Sequence, residues 1–357
     1  MQTLQDAQVQ ALRDIDIKPK LHNLLQASSR LYMHFARQTL AILGDDGERT
    51  VRLHLRKYGQ FRAHEMREAH NALGRPINME TLNRCWDSAS VFVVKDDIDN
   101  EGSYSPYDTW YDVRYCPAAE AWKADDFHRW GHVYCDEFHQ ACASSYHPDG
   151  HVVIPINMMK GDDRCTFRWV MPPTAEKLES WPPTELGLKL AEYYRADTPE
   201  RAAYDAIIRT SRLLGGRYWT MVDALYSNHS AEDAETVIRA FLRSWGEQRG
   251  ELLREKHRTD QIETSVENLI RDMDLYPEVA WQMEARVGEQ GDTHLSIDFT
   301  PTDDAWVDLD CGKAAQIFWE ESTPSMVRAY SENLSVELSE LVWRGDARTT
   351  LTFRDAR

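Results

Sequence analysis

Histidine and cysteine residues recur along one face of a helix predicted in the first half of the chain. At about 100° per residue, His128, His132, Cys135, His139 and Cys142 fall within roughly 80° of one another. Cys135 and His139 are one helical turn apart, close enough for a thiol–imidazole pair or for shared metal ligation. Ordinary histidines at the edge of the core are the alternative interpretation. A thiol paired with an imidazole is expected to have a lowered pKa.

Other familiar catalytic spacings are missing from the sequence. His64 and His70 are six residues apart, whereas the helical zinc-protease motif needs histidines four apart on one face. No Gly-x-Ser-x-Gly elbow or glycine-rich phosphate loop occurs. The six cysteines contain no Cys-x-x-Cys pair, which argues against a structural zinc knuckle.

The two halves of the chain resemble each other. Residues 51–70 align without gaps with residues 238–257, at an offset of 187. Further along, residues 115–167 align with residues 299–351 at an offset of 184. The segment 172–184 between the halves is rich in proline and polar residues, as linkers are. The repeat predicts two tandem copies of one domain, at 1–171 and 185–357.

The second half lacks the cysteines of the first. At the positions that align with Cys116, Cys135 and Cys165 it has Thr300, Trp319 and Thr349. Loss of all three thiols together is expected if the first copy keeps a functional site and the second becomes a scaffold. Drift of small buried residues is the alternative interpretation. Any covalent chemistry is therefore predicted to reside in the first copy.

The order of predicted elements is the same in each copy. Long helices come first, at about 26–43, 46–73, 204–228 and 231–257. In the first copy they precede β-rich runs that begin at Val91 and Trp110. A helix at about 118–145 follows, and strands near 151–158 and 164–171 close the copy. Helices followed by antiparallel strands indicate an α+β fold with two tandem copies.

Composition limits the classes of partner. The chain has 357 residues, 42% of them hydrophobic, and a formal net charge of −18. That charge disfavours nucleic acid and anionic membranes. No apolar run is long enough to span a bilayer, and acidic residues interrupt the N-terminal segment where a signal peptide needs an apolar run. We therefore expect a cytoplasmic protein with free thiols and a small-molecule substrate. A homo-oligomeric state stays open at the level of the sequence.

Four ordered motifs of the first copy resemble the L-2-amino-thiazoline-4-carboxylic acid hydrolase family. They read DVRYCPAAEAW at 112–122, GHVYCDE at 131–137, YHP at 146–148 and GDDRCTF at 161–167. The resemblance covers about residues 30–171, and a degraded version covers about 204–354. It implies an α+β fold similar to the 4-vinyl-reductase type of ligand-binding domain. His139 and His147 depart from the family's usual Asp and Asn.

The resemblance implies hydrolytic opening of a cyclic amidine-like C=N bond in a small carboxylated heterocycle, without a cofactor. A thiolate suits this reaction because it adds to the electrophilic carbon and water then displaces it. Cys116 or Cys135 is the expected nucleophile, with His139 as base or proton shuttle and Cys165 as the third cysteine of the site. The predicted substrate-binding residues are Arg62, Asp136, Trp122 and His147.

Roles for two of these binding residues follow from their chemistry. Arg62 suits a substrate carboxylate because its guanidinium binds carboxylates through two parallel hydrogen bonds. A surface-helix arginine is an equally good interpretation of Arg62. Asp136 suits an amidinium group, or orients His139.

Two other functions stay open at the level of the sequence. Cys116, Cys135, His139 and Cys165 could ligate a transition metal or a haem in a module that senses small molecules. A biosynthetic enzyme of the same fold, with a different reaction, is the other alternative.

Overall fold

The computed structural model describes residues 8–9, 12, 17–87, 101–175, 177–288, 291–309 and 311–356. The chain forms two compact units. The first contains the residues up to Ser29 together with Arg49–Leu213, and the second contains Arg30–Glu48 together with Leu214–Arg357. These divisions fall inside three long helices, whereas the sequence places a linker at 172–184. The domain bounds 1–171 and 185–357 stay a prediction about the repeated sequence.

In the described first half, three helices come first, two strands and two more helices follow, and two further strands complete an antiparallel sheet. The helices are α1 (Ile17–Leu43), α2 (Asp45–Ala72), α3 (Met79–Arg84), α4 (Pro117–Ala124) and α5 (His128–Tyr146). The strands are β1 (Gly102–Ser103), β2 (Asp108–Val113), β3 (His151–Ile156) and β4 (Cys165–Val170), and a 3₁₀ turn spans Met158–Lys160. The run predicted from Val91 lies outside the described residues.

The prediction of one helix at 118–145 is wrong, because α4 and α5 are separate. Asp126 has a left-handed φ of 49° between them. The Phe127 amide donates to the Trp122 carbonyl at 2.7 Å, and the Asp126 amide donates to the Lys123 carbonyl at 3.3 Å. These bonds satisfy carbonyls at the end of α4 and turn the chain. The turn gives α5 a different direction from α4.

The first sheet has the order β1-β2-β4-β3, with every neighbouring pair antiparallel. Val113 pairs with Cys165, so β4 begins beside the end of β2. Cys165, Phe167 and Trp169 are buried on alternate positions of β4, as a strand with one covered face requires. The His139 ring lies 4.8 Å from the Phe167 ring, so α5 packs on that face.

The described second half repeats this order. Its helices are α6 (Glu185–Ala191), α7 (Pro199–Asn228), α8 (Ala231–Asp260), α9 (Val266–Asp272), α10 (Pro277–Ala280), α11 (Pro301–Leu309) and α12 (Gly312–Tyr330), with 3₁₀ turns at Glu192–Tyr194 and Val342–Arg344. Its strands are β5 (Gln282–Val287), β6 (Thr293–Phe299), β7 (Leu334–Glu340) and β8 (Thr349–Asp355). The second sheet has the order β5-β6-β8-β7. The α+β fold class is confirmed.

Equivalent positions make the same polar contacts in the two units. In the first unit, Arg52 and Arg56 both bind Glu137, at 2.8 and 2.7 Å. In the second unit, Glu321 aligns with Glu137 and binds the two aligned arginines in the same way. It lies 2.6 Å from Arg239 and 2.5 Å from Arg243.

Buried histidines and turn glycines repeat as well. His70 bonds the Tyr146 hydroxyl at 2.8 Å, and the aligned His257 bonds the Tyr330 hydroxyl at the same distance. The turns before β4 and β8 contain glycines with φ near 100°, a conformation that favours glycine. The shared arrangement is thus set by local contacts as well as by strand order.

No helix in the described ranges is long and apolar enough to cross a membrane. The cytoplasmic location, the possible homo-oligomer and the exclusion of nucleic acid stay predictions from the sequence.

Candidate active site

Cys116 lies at the N-terminus of α4, where the helix presents backbone amides. It is the N-cap residue, with an extended backbone, and its side chain is half-buried. Burial raises the pKa of the Cys116 thiol, and hydrogen bonding from the Ala119 and Ala118 amides opposes that rise. Positive charge at a helix N-terminus favours a thiolate. Of the three aligned cysteines, Cys116 is the most accessible.

Cys135 and Cys165 lie deeper, on α5 and at the start of β4. Cys135 is 9% exposed and Cys165 is 5% exposed. Burial raises the pKa of Cys135 well above its ordinary value, and charge on Cys165 or Cys116 raises it further. The pKa of Cys165 rises to about 11, mainly through burial, although the Met158 amide donates to its sulfur at 3.3 Å. Charge on Cys116 also acts on both thiols, so the three cysteines, from different elements, lie within electrostatic range of one another.

The direction of these pKa shifts differs from the expectation for an activated thiol. A lowered pKa was expected beside an imidazole, and burial raises the pKa of each of the three thiols instead. The reason is that desolvation penalises the charged form. In the unliganded protein, the thiols therefore favour the protonated state near neutral pH.

Asn157 is a site residue that the sequence analysis missed. It lies between β3 and the 3₁₀ turn and is fully buried. Its Oδ1 accepts a hydrogen bond from the Met159 amide at 2.8 Å and lies 3.9 Å from the Cys165 sulfur. Its side chain also lies close enough to Cys135 to oppose the rise in the pKa of that thiol. The repeat contains a signal for Asn157, because the residue that aligns with it in the second half is the apolar Leu341.

His139 packs among aromatic rings beside the thiols. Its Nδ1 donates to the backbone carbonyl of Cys135 at 2.7 Å, so the proton lies on that nitrogen when the ring is neutral. Burial lowers the pKa of His139 to about 4. Among the residues that the structure describes, His139 makes no hydrogen bond to the Cys135 sulfur. The thiol–imidazole pair is absent in this state.

Comparison with known families bears on this same segment. Residues 24–169 match the model of the L-2-amino-thiazoline-4-carboxylic acid hydrolase family. The match covers the three thiols, Asn157 and His139, and it confirms the resemblance seen in the four motifs. No curated protein and no solved structure matches the chain.

In this hydrolase-like segment, Arg62 already has a carboxylate partner. Its Nε donates to Asp87 at 2.9 Å, and its Nη2 contacts the other carboxylate oxygen. The guanidinium also lies over the Trp86 ring, 4.8 Å from the centroid. The aligned pair in the second unit, Arg249 and Asp274, is bonded in the same way. The interpretation as a surface-helix arginine is wrong, because Arg62 is buried.

The other three predicted substrate-binding residues lie in separate parts of the segment that matches the hydrolase family. Trp122 is fully buried, and its indole N–H donates to the Ser29 carbonyl at 3.0 Å. This contact places Trp122 in the core. His147 is buried at the end of α5, and its Nδ1 accepts a bond from the Asp149 amide. Asp136 is half-exposed and contacts His132 at 2.9 Å.

The metal interpretation needs several ligands that converge. Among the described residues, no group of three or more His, Cys, Asp or Glu side chains is arranged to hold a metal ion. His139 uses Nδ1 for a backbone carbonyl, which leaves only Nε2 as a possible ligand atom. The metal or haem alternative for the four predicted ligands therefore gains no support from this geometry.

In the second unit, larger side chains fill the corresponding place. Trp319 aligns with Cys135, and Trp343 aligns with Met159. Both indole N–H groups donate to the buried Asp303 carboxylate, at 3.0 and 2.9 Å. The Thr300 hydroxyl, at the position of Cys116, donates to the same carboxylate at 2.8 Å. The second unit thus has a network of hydrogen bonds at the positions of Cys116 and Cys135.

Proposed function

We propose that the first unit is a hydrolase that opens a small carboxylated heterocycle, similar to 2-amino-thiazoline-4-carboxylate, by cysteine chemistry. The observation that carries the proposal is the position of Cys135 and Cys165 at the buried Asn157 amide, within electrostatic range of Cys116, in the segment that matches the hydrolase family. Loss of all three thiols in the second unit supports a role beyond packing.

Cys116 is our choice of nucleophile. It is the least buried of the three thiols, and the α4 amides favour its thiolate. Cys135 was the other candidate from the sequence, but its deeper burial makes the thiolate harder to form. In this proposal, Cys135 and Cys165 line the buried end of the site as neutral thiols.

The reaction adds one water and changes no oxidation state. The Cys116 sulfur forms a bond to the amidine-type carbon, and the C=N electron pair moves to nitrogen, which takes a proton. A ring bond to that carbon then breaks, and the ring heteroatom leaves with the electron pair and gains a proton. Water adds to the carbon, and the enzyme thiol departs. The net change is hydrolysis of the ring.

His139 is proposed as the proton shuttle. Its lowered pKa leaves the imidazole neutral near pH 7, and the bond from Nδ1 to the Cys135 carbonyl puts the lone pair on Nε2. A neutral imidazole accepts and returns protons without adding fixed charge to the site. The surrounding aromatic rings hold the ring in place.

The second unit is proposed to be a degenerate copy of the first. The equal strand orders support this, as do the repeated Arg–Glu and His–Tyr contacts. The network around Asp303 fills the position of the site without any thiol. We propose a scaffold role for this copy.

Purified protein incubated with 2-amino-thiazoline-4-carboxylate tests the function. The expected product has the mass of the substrate plus one water, with its ring opened. Cys116→Thr is the sharpest variant, since Thr300 caps the equivalent helix in the second unit. It should abolish turnover and preserve the fold, because threonine is a good N-cap.

Cys85→Ser is the matched control. Cys85 is a half-buried free thiol of the same unit, and its backbone carbonyl bonds His70. This variant should keep full activity. Full activity of Cys116→Thr and Cys135→Ser together would contradict the proposal, and metal in the purified protein would favour the sensing alternative.

A further inference from the structure

The Asn157 side chain is buried with only half of its hydrogen-bonding capacity used. The Met159 amide fixes Oδ1 at 2.8 Å and so determines which way the amide faces. On the other side, Nδ2 has no hydrogen-bond acceptor of normal geometry among the described residues. Buried amide donors in proteins nearly always have a partner. A ligand bound beside Cys135 and Cys165 would supply the acceptor that this donor lacks.

The fold itself does not require asparagine at this position. Leu341 begins the equivalent 3₁₀ turn, with φ and ψ of −147° and 119°, against −145° and 118° at Asn157. In both turns the backbone amide of this residue donates to an aspartate, Asp162 or Asp346, at 2.7 Å. The turn therefore forms equally well with a side chain that cannot donate.

The amide was lost together with the thiols. The second unit has leucine where Asn157 lies and lacks the three aligned cysteines. A residue needed only to cap the turn would have no reason to follow the thiols. Asn157 Oδ1 lies 3.9 Å from the Cys165 sulfur, and the same side chain acts on the Cys135 thiol, so the amide lies at the buried end of the same site.

We propose that Asn157 Nδ2 donates a hydrogen bond to the substrate nitrogen that receives the C=N electron pair when the Cys116 thiolate adds. The inference rests on the proposed function and adds the group that stabilises the charge which develops in that step. A fixed donor aimed at such a charge acts mainly on the transition state. No proton is lost from Asn157, because its amide only donates the hydrogen bond.

Asn157→Asp is the most informative variant. It keeps the size of the side chain and an acceptor for the Met159 amide, and it replaces the donor by an acceptor. We expect kcat to fall by about 100- to 1000-fold, with KM for 2-amino-thiazoline-4-carboxylate changed by less than about threefold. Asn157→Leu, which copies the second unit, should lose kcat to a similar extent and keep the wild-type near-ultraviolet circular dichroism.

Asn71→Asp is the matched control in the same unit. Asn71 is also buried, but its Nδ2 donates to the Trp181 carbonyl at 2.9 Å and its Oδ1 accepts from the Trp181 amide at 3.2 Å. Loss of this satisfied donor should lower the melting temperature and leave kcat of the folded protein unchanged.

The outcomes separate the inference from the function on which it rests. Wild-type kcat in both Asn157 variants, with Cys116→Thr inactive, would overturn the inference alone. A kcat loss that follows only the unfolded fraction, as in Asn71→Asp, would also overturn it. If the cysteine variants keep full activity, the proposed function fails and this inference fails with it.

Discussion

Trp319 donates its indole N–H to the buried carboxylate of Asp303 at 3.0 Å, and Trp319 aligns with Cys135. Asp303 in turn aligns with Ala119, so one small residue and one thiol of the first unit become a hydrogen-bonded Asp–Trp pair in the second. Burial raises the pKa of Asp303, and its three side-chain donors oppose the rise. The Asp303–Trp319 pair fills the positions that Ala119 and Cys135 hold in the first unit, and its polar groups are hydrogen-bonded to each other.

Trp319→Phe should destabilise the protein without affecting turnover. The change removes one of three donors from a buried carboxylate and leaves that acceptor partly unsatisfied, at a cost of about 1–3 kcal/mol. Urea unfolding measures the loss. Trp110→Phe, at an exposed tryptophan of β2, is the control and should change stability little. A fall in kcat as large as that of Cys116→Thr would contradict the scaffold role.

Arg62→Lys should also act on stability, because Arg62 is paired with Asp87 inside the protein. Lysine cannot reproduce the two parallel hydrogen bonds, and we expect a loss on the order of 1–3 kcal/mol. Arg249→Lys makes the same change in the second unit and should cost a similar amount. KM for the carboxylated substrate should stay unchanged in both variants. A rise in KM confined to Arg62→Lys would restore the substrate-carboxylate role predicted from the sequence.

The periodic pattern and the repeat predicted most of the described fold. Periodicity located the long helices, and the absence of three aligned thiols from the second half drew attention to Cys116, Cys135 and Cys165. The break at Asp126 was missed because the turn depends on a left-handed backbone at a non-glycine residue. Asn157 could not be singled out from its own sequence context, because a lone asparagine between two strands is typical of an ordinary turn. Partners distant in sequence, such as Asp87 for Arg62, need coordinates.

The thiols should differ in their rates of alkylation. With iodoacetamide at pH 7, Cys85 and Cys116 should react faster than Cys135 and Cys165, because the latter two are buried and burial raises their pKa. Peptide mass spectrometry after timed quenching gives the four rates. Substrate should protect Cys116 and leave the rate of Cys85 unchanged. Fast labelling of Cys135, with Cys116 inert, would reverse our choice of nucleophile.

His139 should make the stability of the protein depend on pH. Its folded-state pKa of about 4 lies below its ordinary value of 6.5, so the unfolded chain binds more protons between these values. The free energy of unfolding therefore rises as the pH increases from about 4 to about 6.5. The slope of this rise corresponds to a difference of at most one bound proton between the unfolded and folded states. His70 has the same lowered pKa and contributes a second, separate increment.

His139→Asn should remove the increment that belongs to His139. Urea unfolding at several pH values from 4 to 7 would show the slope reduced by about one proton, with the increment from His70 retained. His128→Asn, at a half-exposed position of the same helix, is the control and should keep the full slope. An unchanged slope in His139→Asn would mean that the ring is more solvated than its aromatic surroundings indicate. The His139 imidazole would then be a stronger base than a buried ring. Its proposed role as a proton shuttle would have to be explained for a solvated imidazole instead.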